Sequence, residues 1–344
     1  MEKRRLWFFI PLAVLILLSA AANLLIGSVN IPVADVLRIL AGNSADNEIW
    51  TNIIFKSRLP QTVIAVMAGA GLAVSGLLMQ TVFRNPLADP SVLGVSSGAS
   101  LGVACVVLMS GIWGQALSRL GYIGDVAVTI AAIAGAMAVM ALIVFISGRV
   151  RGNVTLLIIG VMIGYVANAV IGVMKFFSVE EDIRAYVIWG LGSFSRVSGD
   201  QVQVFAAMMC VLLPLSMLLV KTLNLMLLGQ SYARNLGLDV KRSRLLVIST
   251  AGILTAVVTA YCGPVMFLGL AVPHLCRGMF STSDHKVLMP ATMLCGAALA
   301  LCCNIIARMP GFEGVLPVNS VTALVGAPVV ISVLYRRRKN EMNE

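Results

Sequence analysis

The sequence predicts an all-α, polytopic membrane protein of about ten transmembrane helices with both termini cytoplasmic. Three observations carry this. First, 59% of the 344 residues are hydrophobic and 12% are charged, about half the roughly 25% charged share of soluble domains. Second, the apolar residues gather in ten runs, most near the ~20 residues that carry a helix across a ~30 Å hydrocarbon layer. Third, no Asp, Glu, Lys or Arg falls inside any of those runs. A soluble two-domain enzyme is excluded, and residues 1–344 are read as one transmembrane domain. A net charge of +10 would suggest nucleic acid for a soluble chain. In a membrane protein it asks instead which loops are positive, and no nucleic-acid partner is expected.

In chain order the runs are Leu6–Ile26, Gln61–Val82, Val92–Gly111, Val126–Ile146, Val154–Met174, Val202–Val220, Leu245–Tyr261, Gly263–Cys276, Val287–Ala307 and Val318–Tyr335. The first follows basic residues, and its apolar Leu6–Leu18 leads to Ser19-Ala20-Ala21-Ala22, which is signal-peptide grammar. Its apolarity continues to Ile26, however, which predicts a retained first helix. The eighth run is short and holds Pro264 and Pro273. With the termini placed inside, the inside segments (residues 1–5 and 336–344 among them) hold most of the 25 basic residues, whereas acidic residues prevail outside. That asymmetry is the positive-inside pattern and supports an even number of crossings.

The connections divide into two kinds. Outside, Pro32–Leu40 has the pattern of a short amphipathic surface helix, and Glu180-Glu181-Asp182 precede Ile183–Leu191 as an acidic first turn would. Inside, Arg84-Asn85-Pro86-Leu87-Ala88-Asp89-Pro90 separates the second and third runs. Two prolines and a charge pair prevent either helix from continuing through it, so it forms a hinge at a membrane surface. Small residues flank the hinge: Gly69, Ala73 and Gly76 before it, and Gly94, Gly98 and Gly102 after it. Their spacing predicts close helix–helix approach, with a lining role as the open alternative. Residues 221–244 form the longest inside connection. It is either a basic segment lying on headgroups or a docking element for a cytoplasmic partner.

Chemistry is mostly absent. The runs lack the intramembrane ionisable group that ion-coupled carriers use, and no Gly-x-x-x-x-Gly-Lys-Ser/Thr sequence is present. No catalytic residue is assigned, and no cofactor is expected on this chain. His274 and His285 do not form a metal pair, and none of the seven cysteines has CxxC spacing, so no metal site is expected. Arg58 and Arg308 stand at the outer ends of runs otherwise poor in positive charge. Arginine snorkelling to the interface accounts for both on chemistry alone.

The motifs also carry a resemblance. Arg58-Leu59-Pro60, Gln80, Asn85 to Pro90 and Leu93 to Ala99 stand in one order, followed by Gly263 to Arg277, Asp284-His285, Ala307-Arg308, Leu316-Pro317-Val318 and Gly326-Ala327-Pro328. This resembles the membrane subunit of iron-chelate and cobalamin ABC importers, from Arg58 to Arg336. The resemblance implies a multi-pass permease of the bacterial inner membrane. It implies a homodimer working with two cytoplasmic ATPase subunits, which use the ATP, and with a periplasmic substrate-binding protein. It implies import of an iron chelate (ferric siderophore or haem), with cobalamin as the alternative. A lone ion-coupled carrier and a chelate-sensing receptor remain the other classes. By the same resemblance Asn85, Pro86, Leu87 and Asn153 are gate or path candidates, with Arg151–Asn153 as a second gate. Ala233, Leu236, Gly237 and Leu238 match the ATPase-coupling segment, and Arg58 and Arg308 match arginines that dock the binding protein. The sequence departs from the family at Gln61, Asn304 and Asn319, where an arginine, an aspartate and a glycine are usual.

Overall fold

Each apolar run contains a helix because, without water, backbone N–H and C=O groups must pair within the segment; in the eighth run residues 263–267 are not helical and the helix starts only at Leu268. The computed structural model describes residues 7–27, 29–42, 47–109, 122–150, 152–197, 199–309 and 315–341. In chain order the helices are α1 (Phe9–Leu25), α2 (Val33–Leu40), α3 (Glu48–Ile53), α4 (Leu59–Phe83), α5 (Val95–Val107), α6 (Tyr122–Ser147), α7 (Asn153–Phe176) and α8 (Glu180–Gly190). There follow α9 (Asp200–Met217), α10 (Val220–Leu227), α11 (Gln230–Asn235), α12 (Val240–Cys262), α13 (Leu268–Phe280), α14 (His285–Ala307) and α15 (Val318–Glu341). No strand occurs among the described residues. Six helical stretches are long and apolar enough to cross a membrane, and Phe9–Leu25, Val95–Val107 and Val318–Ser332 are shorter apolar helices.

The bundle is built around α4. A single π-helical turn, Ile54–Arg58, joins α3 to α4, giving one continuous helix over Glu48–Phe83. Of its apolar window 83% is buried, against 17–28% for α6, α7 and α9. Helices α12, α13 and α14 pack directly on α4, and α5 pairs with α6. Glycine makes the crossings possible. A Cβ at Gly76 would overlap the Gly269 carbonyl, one at Gly69 the Gly296 carbonyl, and one at Gly102 the Ala131 carbonyl. Close backbone approach maximises packing where no hydrophobic force acts between helices. Gly94 departs from its predicted stripe. Its φ is +80°, it precedes α5, and it faces Gly160 of α7, whereas Gly98 faces Gly135 of α6. A helical face needs helical φ/ψ, and Gly94 supplies a turn instead.

The first helix is part of the bundle. Asn23 donates to the Leu301 carbonyl at 3.1 Å, and Asn304 donates to Asn23 Oδ1 at 2.7 Å. Asn304 therefore replaces a charge with a neutral interhelical hydrogen bond, both side chains being buried. Asn319 makes a bond that glycine could not. Its Oδ1 accepts from the Met266 N–H at 3.1 Å, tying α15 to the extended stretch before α13.

Candidate functional site

Local chain chemistry shapes the hinge. Helix α4 ends with Arg84 in the left-handed region, φ +50°. The Asn85 N–H returns to the Gln80 carbonyl at 3.2 Å and the Arg84 N–H to Thr81 at 3.3 Å, a Schellman termination with arginine where glycine is usual. Pro86 then opens a turn closed by Ala88 N–H to Asn85 O at 3.1 Å, while the Asn85 side chain accepts from the Leu87 N–H at 2.9 Å. Asp89 accepts from the Ser91 N–H at 2.9 Å and starts the 3₁₀ turn Pro90–Leu93. Between these two stops the Leu87 side chain is left 42% exposed.

Helix α13 holds the hinge from the side. Gln80 donates to the Gly269 and Leu270 carbonyls at 3.2 and 3.3 Å and accepts from Arg277 at 2.6 Å. His274 Nε2 lies 2.9 Å from the Pro86 carbonyl, so that nitrogen carries the proton and donates. Gly269 is required because a Cβ there would overlap the Asp89 carboxylate. Asp89 is only 8% exposed. Burial raises its pKa above the ordinary carboxylate range, and the Ser91 hydrogen bonds pull it part of the way back.

Two links join the hinge to the segment over residues 221–244. Arg84 Nη2 donates to the Met226 carbonyl at 2.7 Å, in the last turn of α10. The second link is a chain of side chains. Asn224 Nδ2 donates to Asp284 at 2.6 Å, while its Oδ1 accepts from the His285 backbone N–H at 2.9 Å and lies 2.8 Å from His285 Nδ1. These partners fix the amide orientation and put the imidazole proton on Nδ1. The Nε2 of neutral His285 lies 2.8 Å from the Thr81 hydroxyl, whose one proton it shares with the Leu77 carbonyl, also at 2.8 Å. His285, 1% exposed, thus bridges α10 to the end of α4. The Asp284 carboxyl lies below its ordinary pKa, chiefly because the Lys286 N–H binds the charged form.

The matched segment itself forms α11. Ala233 is buried, and α11 ends in a second Schellman turn: the Leu238 N–H reaches the Ala233 carbonyl at 3.0 Å and the Gly237 N–H reaches Arg234 at 3.0 Å. Gly237 has φ +85° with open space around it. Leu236 and Tyr232 project from this element and are exposed, and Leu238 is half-buried. Asn153 opens α7, whose Gly160 backs directly on Leu93 of the hinge; Arg151 lies outside the described residues.

The two arginines at the other end of α4 are not equivalent. Arg58 is 1% exposed. Its guanidinium donates to the Leu24 and Leu25 carbonyls at 2.7 and 2.8 Å and to the Val29 carbonyl. In this structure it is buried against the C-terminal end of α1 and the stretch that follows. Arg308 is half-buried, donates to the Ile26 carbonyl at 3.3 Å and keeps Nη1 buried with no acceptor. Its pKa is lowered by burial and then by the nearby Arg58 charge. Sequence alone missed the Arg84, Asn224 and His285 links. Arg84 stands beside a proline-bounded turn, whereas Asn224 lies inside an apolar helix and His285 beside Asp284, with no local pattern to pair them.

Comparison with known proteins places these features. The model of the FecCD transport family matches residues 12–336. A vitamin B12 import system permease protein from Klebsiella pneumoniae is 34% identical over 98% of this chain and 96% of its own length. A hemin transport system permease protein from Yersinia pestis is 32% identical over 94% of this chain and 95% of its own. A solved inward-facing metal-chelate type ABC transporter superposes with a TM-score of 0.82 at 28% identity, over 98% of this chain and all of that one.

Proposed function

This chain belongs to the FecCD transport family, and from that premise we propose that it carries a metal chelate across the bacterial inner membrane by alternating access. It is an ABC importer permease with several membrane-spanning helices. The energy comes from separate ATPase subunits bound at α11, because the chain has no phosphate-binding loop of its own. The observation that carries the mechanism is the double link from residues 221–244 to the hinge, Arg84 to Met226 and Asn224 through His285 to Thr81. An ATPase that pulls on α11 moves α10, and α10 moves the end of α4 and the turn bearing Leu87. Alternating access requires two discrete packings of such an element.

The path lies between two copies. Val154, Ile158, Met162, Val166 and Val173 on α7 form an exposed stripe at helical spacing. The stripe begins beside the hinge, and in a dimer it faces its counterpart across the path with Leu87 closing the inner end. Nothing ionised lines this stripe, so the path offers few strong contacts and suits release of a bulky cargo. Docking of the periplasmic binding protein falls to Arg308 and its surroundings, with Arg58 holding the α1 corner beneath.

The cargo is an iron chelate, ferric siderophore or haem, in line with the hemin permease relative. Cobalamin is the second reading, favoured by the vitamin B12 permease relative at 34% identity. Uptake of labelled haem, a ferric siderophore and cobalamin, compared in cells with and without the gene, separates them. Loss of haem or siderophore uptake alone supports the first reading. Loss of cobalamin uptake alone replaces it with the second, and retention of all three in a strain with no other importer removes both.

A further inference from the structure

Four basic side chains meet in one cleft at the hinge end of the bundle. Ser147, Gly148, Arg149 and Val150 form one wall at the end of α6; Arg234, Val240, Lys241 and Arg244 form the other. The cleft holds about 690 Å³, and no acidic side chain lines it among the described residues. The ion pairs among the described residues are Arg38–Asp35 and Arg242–Asp239, and neither uses a lining cation.

Arg244 is the group that asks for a ligand. It is 9% exposed, and its Nε and Nη2 are buried with no acceptor among the described residues. Ser147 Oγ, on the facing wall, is also buried without a partner. A buried charge without a counter-group is strongly unfavourable, so the site is built for an acceptor that arrives from outside the chain. A phosphate fits best, because it takes several charge-assisted hydrogen bonds at once and matches the planar fork of arginine. The position of the cleft points to the source. Both walls lie at the ends of helices apolar enough to cross a membrane, Gly124–Ser147 and Val240–Cys262, which puts the cleft at headgroup level.

We propose that this cleft is a phosphate site, filled by the headgroup of an anionic phospholipid or by free phosphate. A bound phosphate would bridge the end of α6 to α11 and α12, the elements next to the proposed ATPase contact. It would thereby make transport sensitive to the lipid around the protein.

The test uses the delipidated full-length protein in detergent, with native mass spectrometry and thermal unfolding as readouts. Separate additions are phosphatidylglycerol, phosphatidylcholine and inorganic phosphate. The variants are Arg244→Gln and, because that side chain is buried, the exposed pair Arg149→Gln with Lys241→Gln. Retention of phosphatidylglycerol over phosphatidylcholine, weakened roughly fivefold for each cation removed, supports the proposal with lipid as the source. Thermal protection by inorganic phosphate without lipid discrimination, lost in the same variants, supports it with free phosphate as the source. No preference for either, or a preference that the variants leave unchanged, overturns it. So does loss of a co-purifying protein from the variants with no phosphate effect, which would make the cleft a protein contact.

Discussion

Arg84 stands where a glycine would be easier, and the reason is its side chain. A left-handed non-glycine residue costs roughly 1–2 kcal/mol, and here the guanidinium reaches the Met226 carbonyl. Arg84→Gly keeps the turn and removes only the link. A hydrogen bond to a charged group is worth about 1.5–3 kcal/mol, so if coupling runs through it, transport falls by roughly tenfold or more, while in stability its loss is largely offset by the relieved left-handed strain. Uptake measured against melting temperature checks this, and unchanged uptake would assign Arg84 to the turn alone. Gly76→Ala has the opposite profile: its Cβ would overlap the Gly269 carbonyl. Overpacking of this kind costs about 1–3 kcal/mol, and the amount of folded protein in the membrane should fall. Asp89 adds a pH dependence. Its folded pKa is raised by burial, so the folded state holds its proton more tightly than the unfolded chain. The stability this group contributes is full below the ordinary carboxylate pKa and declines as pH rises through the raised one. Asp89→Asn keeps an oxygen to accept from Ser91 and should remove that part of the slope in thermal unfolding followed from acid to neutral pH.

At the scale of elements, the hinge is held by α10 and α13 together. His285 joins α10 to α4 through Asn224 on one ring nitrogen and Thr81 on the other. Asn224→Ala should therefore slow transport while the ATPase still co-purifies with the permease; loss of the co-purifying ATPase would point to assembly instead. The outer end divides its two arginines. Arg58→Glu would set an acid among the Leu24 and Leu25 carbonyls and unfold the α1 corner, so Arg308→Glu is the informative variant. It should impair delivery by the binding protein with the permease still folded, and normal delivery in that variant would remove Arg308 from docking. Much of this architecture was legible in the sequence. Apolar runs marked the helices because lipid forces every backbone group to pair locally, and the proline-bounded stretch from Asn85 to Pro90 marked the hinge. The joining of α3 to α4 through a π turn was not legible, since residues 48–58 are too polar to read as part of a span. Nor was the burial of Arg58, because three carbonyls at the end of another helix leave no mark in the local pattern. Asn304 was readable only as a missing charge, and its Asn23 partner lies 281 positions away.

At the scale of the whole molecule, one rigid helix carries the design. Helix α4 is buried along its length, α1 and Arg58 anchor one end, and the hinge lies at the other, where α10 and α13 grip it. Helices α6, α7 and α9 form the outer layer and are left to meet lipid or a second copy. Such a chain carries no phosphate-binding loop of its own, so the proposed movement of the hinge needs separate ATPase subunits. A complex of two permeases and two ATPases is expected, and the mass of the purified assembly would show it. The most direct test is uptake into right-side-out membrane vesicles that contain the full complex and are loaded with ATP, given binding protein and labelled chelate, with and without vanadate. The account predicts uptake that requires internal ATP, is abolished by vanadate and survives collapse of the ion gradients. Uptake that persists under vanadate and disappears when the gradients are collapsed would contradict it and make the chain an ion-coupled carrier.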